Sequence, residues 1–212
     1  MDYLIYGRAA LEGADQDSPA LDEAHWSFMD AFADRMTARG PTLSADRAAW
    51  TGSLHVVDLD DAAAARAFAV DEPYQRAGLF REHLIRRFDN RLGRTMWDFI
   101  PQADDVPFLV LADGGDALAD GGAALADGGD ALATGSRPQA LPSPAAAARL
   151  ILWGALRPAH DSLDRAGRST GTALALSAPS EAAARGVIAA EPALLGGCTN
   201  WEIHAWQFGG RR

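Results

Sequence analysis

The sequence predicts an α+β protein assembled from two copies of one small unit, and three observations lead there. Residues 1–103 alternate short β-rich runs with helical patterns in the order β-α-β-β-α-β. Residues 51–78 and 170–197 align without a gap at an offset of 119. They share Thr51/Thr170, Gly52/Gly171, Ala63-Ala64-Ala65-Arg66 with Ala182-Ala183-Ala184-Arg185, Glu72-Pro73 with Glu191-Pro192, and Gly78/Gly197, which reads as an internal duplication. The length of 212 residues suits two domains of about 100. The β-α-β-β-α-β order is the split βαβ of ferredoxin-like folds. The expected architecture is therefore two ferredoxin-like repeats, residues 1–103 and 104–212.

Residues 3–8 form a β-rich run at the start. Ser18-Pro19 opens a helix expected to reach Arg39, with His25, Met29, Phe32 and Met36 on one face. Gly40-Pro41 is the expected stop, and residues 42–44 a short second strand. Residues 51–59 are the clearest strand, with Ser53, His55, Val57 and Leu59 facing one way and Leu54, Val56 and Asp58 the other. Asp60 and Asp61 cap an Ala-rich helix over 62–70. Residues 71–78 make its exit turn, and 80–88 the last strand.

The second half opens with an apolar strand, 106–112, followed by three near-identical heptads over 113–133, each reading Asp-Gly-Gly-(Asp/Ala)-Ala-Leu-Ala. Paired glycines oppose helix, and the tract has few large apolar groups to offset ordering. The reading is a low-complexity loop at 113–142, with no calcium-binding pattern. Ser143-Pro144 is expected to open a helix over 145–156.

Composition narrows the function. Hydrophobic residues make up 48% and charged residues 23%, with a net charge of −10. Nucleic acid and anionic membrane both need a positive field, so neither is an expected partner. Every basic residue is Arg. The single cysteine, Cys198, cannot form an internal disulfide, and no Cys/His spacing suits zinc. The N-terminus lacks a signal-peptide pattern, and no apolar run approaches the ~20 residues of a membrane span, so a cytoplasmic location is expected. There is no phosphate-cradling glycine loop and no serine elbow. No cofactor and no metal are expected.

His25 is the side chain most suited to chemistry. On the apolar stripe of its helix it is either a satisfied core histidine or a proton carrier in a pocket. A proton carrier needs a partner that fixes its tautomer. Asp34 lies about 180° around the helix and cannot reach it. Asp71 and Glu72, at the end of the second helix, can. Glu72 precedes Pro73, which disfavours helical geometry and can turn its carboxylate inward. His55 and Ser53 share a strand face, lining either the same pocket or the opposite sheet surface. Tyr6, Arg8 and Tyr74 are candidate walls with polar tips.

Together these residues resemble the YciI-like (YCII-related) family. The resemblance rests on Tyr3-Leu4-Ile5-Tyr6, Glu23-Ala24-His25-Trp26, Arg39-Gly40-Pro41, Thr51-Gly52-Ser53, Glu72-Pro73-Tyr74 and Ala77-Gly78. Arg94-Thr95-Met96-Trp97-Asp98-Phe99 is similar to the tail of longer members. It implies a ferredoxin-like fold that pairs its sheets as a dimer, and a pocket centred on a histidine and an acid. The family's acid is usually an Asp before Pro; Glu72 holds that position here. Some members are small lyases that remove chloride from a hydroxyquinone.

Two functions follow as expectations. One is a cofactor-free acid/base enzyme, lyase or isomerase in type, acting on a small cyclic or aromatic metabolite. Its catalytic candidates are His25, Glu72 and Asp71, and its substrate-binding candidates Tyr6, Arg8, Ser53, His55 and Tyr74. The other is a non-catalytic small-molecule-binding or assembly module. Where relatives pair two chains, the two repeats are expected to pair within one, as an α+β-barrel-like pseudo-dimer, with a homodimer as the other assembly.

Overall fold

A computed structural model describes residues 1–10, 18–113, 141–159 and 170–209. Eight strands carry the architecture: β1 (Asp2–Ala9), β2 (Met36–Leu43), β3 (Trp50–Asp58), β4 (Phe80–Asn90), β5 (Val106–Asp113), β6 (Leu150–Pro158), β7 (Gly171–Ala178) and β8 (Glu202–Trp206). The helices are α1 (Pro19–Asp30), α2 (Ala62–Asp71), α3 (Pro73–Arg76), α4 (Pro144–Ala147) and α5 (Glu181–Ala190). The strands close a barrel in the order β1-β3-β2-β8-β5-β7-β6-β4, and every neighbouring pair is antiparallel. The protein is thus a mixed α/β structure around a closed eight-stranded barrel.

Read from β4, the order is β4-β1-β3-β2 and then β8-β5-β7-β6, the same pattern of strands in each half. The registers match as well. Arg39, Gly40 and Pro41 on β2 face His55, Leu54 and Ser53 on β3. Trp153, Gly154 and Ala155 on β6 face Leu174, Ala173 and Thr172 on β7.

The alternation of side chains builds two kinds of core. Leu4, Tyr6, Leu54, Val56, Leu109, Leu111, Leu152 and Trp206 fill the barrel interior. On the outer face of the N-terminal half, Tyr3, Ile5, Val57 and Leu59 lie under Met29 of α1 and Phe68 of α2. On the other half, Val110, Trp153, Leu174 and Leu176 lie under Ala184 and Ile188 of α5. Local sequence sets the helix starts. Ser18 accepts from the Leu21 N–H with Pro19 in the first turn. Asp61 accepts from the Ala64 N–H at 2.8 Å, and Ser180 from the Ala183 N–H at 3.2 Å.

Two expected helices are shorter than their sequence suggests. The first ends at Asp30, and after a 3₁₀ turn the chain becomes β2. Gly40-Pro41 therefore lies inside a strand and stops no helix, and residues 42–43 are the end of that strand. Pairing with β3 and β8 overrides the helical stripe through Met36. Gly40 sits at a φ of 156°, where a Cβ would come 2.0 Å from the Gln207 carbonyl oxygen. The helix expected over 145–156 is only the four residues of α4. From Leu150 the chain is β6, held between β4 and β7. A strand buried on both faces has no alternation to distinguish it from a buried helix. Among the heptads only Asp113 falls in the described residues, as the last residue of β5; the rest lie outside them.

The seams between halves are made differently. The β2–β8 pairing is two residues long. It is reinforced by the Trp206 indole N–H donating to the Gly40 carbonyl at 3.1 Å and the Gly209 N–H donating to the Arg39 carbonyl at 3.0 Å. At the β4–β6 seam, Arg157 donates to Asp89 at 2.5 Å. Among the described residues, no helix is long and apolar enough to cross a membrane.

Candidate active site

The site lies on the outer face of the N-terminal half, between the sheet and the helices α1, α2 and α3. His25 reaches it from α1, on the same face as the buried Met29. Glu72 ends α2 and begins α3, with φ −58° and ψ 127°. Pro73 enforces that extended geometry, and the carboxylate turns inward until Glu72 is 2% exposed. The His25 Nδ1–H donates to Glu72 Oε1 at 2.6 Å. The other oxygen, Oε2, accepts from the Gln75 N–H at 2.9 Å. Glu72 is thereby pinned twice, once as the cap of α3 and once as the partner of the histidine.

The ring of Tyr74 stacks on His25 at 4.2 Å, with 8° between the planes. Its hydroxyl donates to Asp22 at 2.7 Å. Burial, followed by that hydrogen bond, pushes the phenol well above its usual pKa, so it stays protonated. His55 rises from β3 with its ring 6.0 Å from that of His25. Burial holds its pKa well below the usual value, and the charges of His25, Arg39 and His83 act the same way. His55 is thus a neutral imidazole at pH 7. Ser53 Oγ lies 3.4 Å from its Nε2. Phe68 closes the far side of His55, ring to ring at 5.6 Å.

The fold brings His25, Glu72, Ser53, His55 and Tyr74 together. Asp71 is elsewhere: it ends α2 facing solvent and pairs with Arg76 at 2.6 Å. Tyr6 and Arg8 are also elsewhere, because their strand positions point into the barrel. The Tyr6 hydroxyl lies 3.1 Å from Thr42 Oγ1. Arg8 pairs with Glu202 of β8 and, at 3.0 Å, with Glu82 of β4. Burial raises the Glu202 pKa, but its bonds to His204 and Arg8 outweigh that and hold the carboxyl at about 2. Tyr6 and Arg8 thus belong to the mouth of the barrel, across the sheet from His25.

One residue of the site escaped the sequence reading. Arg39 is buried on β2, directly across from His55 in register. Its guanidinium carbon lies 5.9 Å from the centroid of the Trp26 ring. The signal was the alternation of Ala38, Gly40 and Thr42 with Arg39 and Pro41, hidden once residues 36–39 are read as helix. Among the described residues, no group of three or more His, Cys, Asp or Glu side chains is placed to hold a metal ion.

An α+β barrel with a buried histidine–carboxylate pair under its helices is the class these features define. Residues 1–89 match the model of the YCII-related domain. Two solved structures are similar. One is the 5-chloro-2-hydroxyhydroquinone dehydrochlorinase (TftG) of Burkholderia phenoliruptrix AC1100 in complex with 2,5-dihydroxybenzoquinone. It is 22% identical over 44% of this chain and 99% of its own, with a TM-score of 0.37. The other is a "putative monooxygenase" from Lactobacillus acidophilus NCFM, 8% identical over 97% of this chain and 92% of its own, with a TM-score of 0.44. No curated protein matches the chain.

Proposed function

We propose that the chain is a cofactor-free acid/base enzyme, lyase or isomerase in type, that acts on a small cyclic or aromatic metabolite. The observation that carries this reading is the 2.6 Å contact between His25 and a doubly anchored, buried Glu72. With Nδ1–H committed to the carboxylate, Nε2 is left with its lone pair. It takes a proton from the substrate, and the imidazolium that forms is stabilised by Glu72. In an isomerisation the proton returns to a second substrate atom. In an elimination the leaving anion departs with the bonding electron pair. Ser53, His55 and Tyr74 are proposed as substrate walls, and Asp71, Tyr6 and Arg8 are given no part.

The stacking of Tyr74 over one face of His25 favours a second reading, a module that binds a small molecule and does not turn it over. Hydrogen–deuterium exchange of small enolisable ring compounds in D₂O separates the two. The enzyme reading expects catalysed exchange that His25→Ala lowers by about 100-fold or more. Exchange at the full rate in His25→Ala refutes it, and binding without exchange in the wild type supports the module.

The two halves are further proposed to be copies of one unit, paired within a single chain as relatives pair between chains. The common strand order and the matching β2–β3 and β6–β7 registers support this. The helices α2 and α5 also begin and end at the same offset of 119 as the sequence repeat. Sedimentation is expected to give a monomer.

A further inference from the structure

We propose that Tyr74 and Asp22 are positioning residues for His25: together they fix the plane of its ring, and with it the direction of Nε2. This rests on the acid/base reading of His25 and adds to it the two residues through which the ring is aimed.

A hydrogen bond at one nitrogen does not by itself fix an imidazole, because rotation about its last side-chain bond is broad. The bond from Nδ1 to Glu72 therefore leaves the ring free to tilt about that contact. The Tyr74 ring, stacked at 4.2 Å with 8° between the planes, removes that freedom. Tyr74 is itself held at both ends. Its hydroxyl donates to Asp22 Oδ1 at 2.7 Å, the length of a charge-assisted bond. Its ring meets Trp50 and Phe80 edge to face, at 5.9 and 6.4 Å. Burial and the bond to Asp22 keep the phenol protonated, so it remains a donor.

Asp22 and His25 stand one turn apart on α1, and Glu72 and Tyr74 flank Pro73 at the start of α3. The two helices are thus tied twice, Glu72 to His25 and Tyr74 to Asp22. When Nε2 takes a proton, the cation forms flat against the face of Tyr74, where an aromatic ring attracts positive charge.

The other half of the chain shows that the turn itself does not need the tyrosine. Glu191-Pro192 stands at the place of Glu72-Pro73, and Ala193 at the place of Tyr74. A helical turn still follows, over Pro192–Leu195. The helix before β6, α4, carries no histidine. The Glu-Pro pair suffices for the turn, and the tyrosine occurs in the half that has a histidine to stack on.

The test is NMR of the nitrogen-labelled full chain at pH 7, without ligand, reading how fast the His25 Nδ1–H exchanges with water. Tyr74→Phe keeps the ring and loses the bond to Asp22; Asp22→Ala loses the same bond from the other side. Both are expected to speed the exchange about tenfold or more, the scale of one charge-assisted bond. Asp22→Asn keeps an acceptor and is expected to recover most of the protection. Phe28→Ala is the control for stability. It loses ring contacts to Phe32 and Phe68 on the same helix's apolar side, and is expected to lower the thermal midpoint without changing the His25 exchange. Should Asp22→Ala not fold, Tyr74→Phe carries the test. Wild-type exchange in the folded variants, the same acceleration in Phe28→Ala, or an unprotected Nδ1–H in the wild type overturns the inference. The acid/base reading is decided separately, by the catalysed exchange of ring compounds in His25→Ala.

Discussion

Replacing Glu72 should cost stability in a way that replacing its neighbour Asp71 does not. Glu72→Ala removes two acceptors from a residue that is 2% exposed. The Gln75 N–H loses its cap, worth about 0.5–2 kcal/mol, toward the low end for so short a helix. The His25 Nδ1–H loses a charge-assisted bond, worth about 1.5–3 kcal/mol. Both donors are left facing a cavity, so the expected loss is about 2–4 kcal/mol. Glu72→Gln keeps one oxygen for one of the two donors, and the expected loss falls to about 1–2 kcal/mol. Asp71 makes an equally short contact, 2.6 Å to Arg76, but both side chains are more than half exposed. An exposed pair contributes little, so Asp71→Ala should change stability by less than about 0.5 kcal/mol. Urea unfolding at pH 7, followed by tryptophan fluorescence, gives all three values. If Glu72→Ala and Asp71→Ala lose the same small amount, the doubly anchored carboxylate does not hold the site together, and the reasoning fails.

Two further predictions follow from the same geometry. His55 is held neutral by burial, so as pH falls through about 6.5 the unfolded chain gains a proton that the folded chain refuses. Its contribution is complete above pH 6.5 and is lost below it, at up to about 1.4 kcal/mol per pH unit; His55→Gln should flatten the stability profile between pH 6.5 and 5, and an unchanged slope would show that His55 is free to ionise. Gly40→Ala places a Cβ 2.0 Å from a backbone oxygen and should cost more than about 2 kcal/mol, whereas Gly186→Ala, with open space around it inside α5, should gain about 0.5–1 kcal/mol in thermal or urea unfolding.

The site was legible wherever local chemistry fixed the geometry. Pro73 removes helical ψ from Glu72, but the sequence left both Glu72 and Asp71 open as partners of His25, and only the folded chain turns Glu72 inward and Asp71 to solvent. The alternation along β3 puts Ser53 and His55 on one face, but whether that face meets His25 depends on which side of the sheet α1 covers. Tyr6 and Arg8 show the same limit. Their polar tips suit a pocket wall, yet their parity on β1 sends them into the barrel, and parity acquires a direction only once the barrel closes. Arg39 and Trp153 were hidden because both lie on strands read as helix. The stripe ending at Met36 and the run from Leu150 have the composition of either state, and pairing on both sides decides them.

The separation of faces also explains how one half can hold a cluster of buried polar side chains where the other is apolar. On β3, Leu54 and Val56 point into the barrel while Ser53 and His55 point out under the helices. On β7, Ala173 and Ala175 point in while Leu174 and Leu176 point out. Barrel closure depends on the inward set, and the polar cluster on the outward set. Exchanging His55 and Arg39 for a leucine and a tryptophan therefore leaves the interior packing untouched. It also removes two buried polar side chains whose desolvation opposes folding. Glu72 is no part of that contrast, because Glu191-Pro192 stands at the matching place in the other half. The buried polar side chain that the apolar half replaces on this strand face is His55, opposite which Leu174 stands in the matching register, and its desolvation opposes folding.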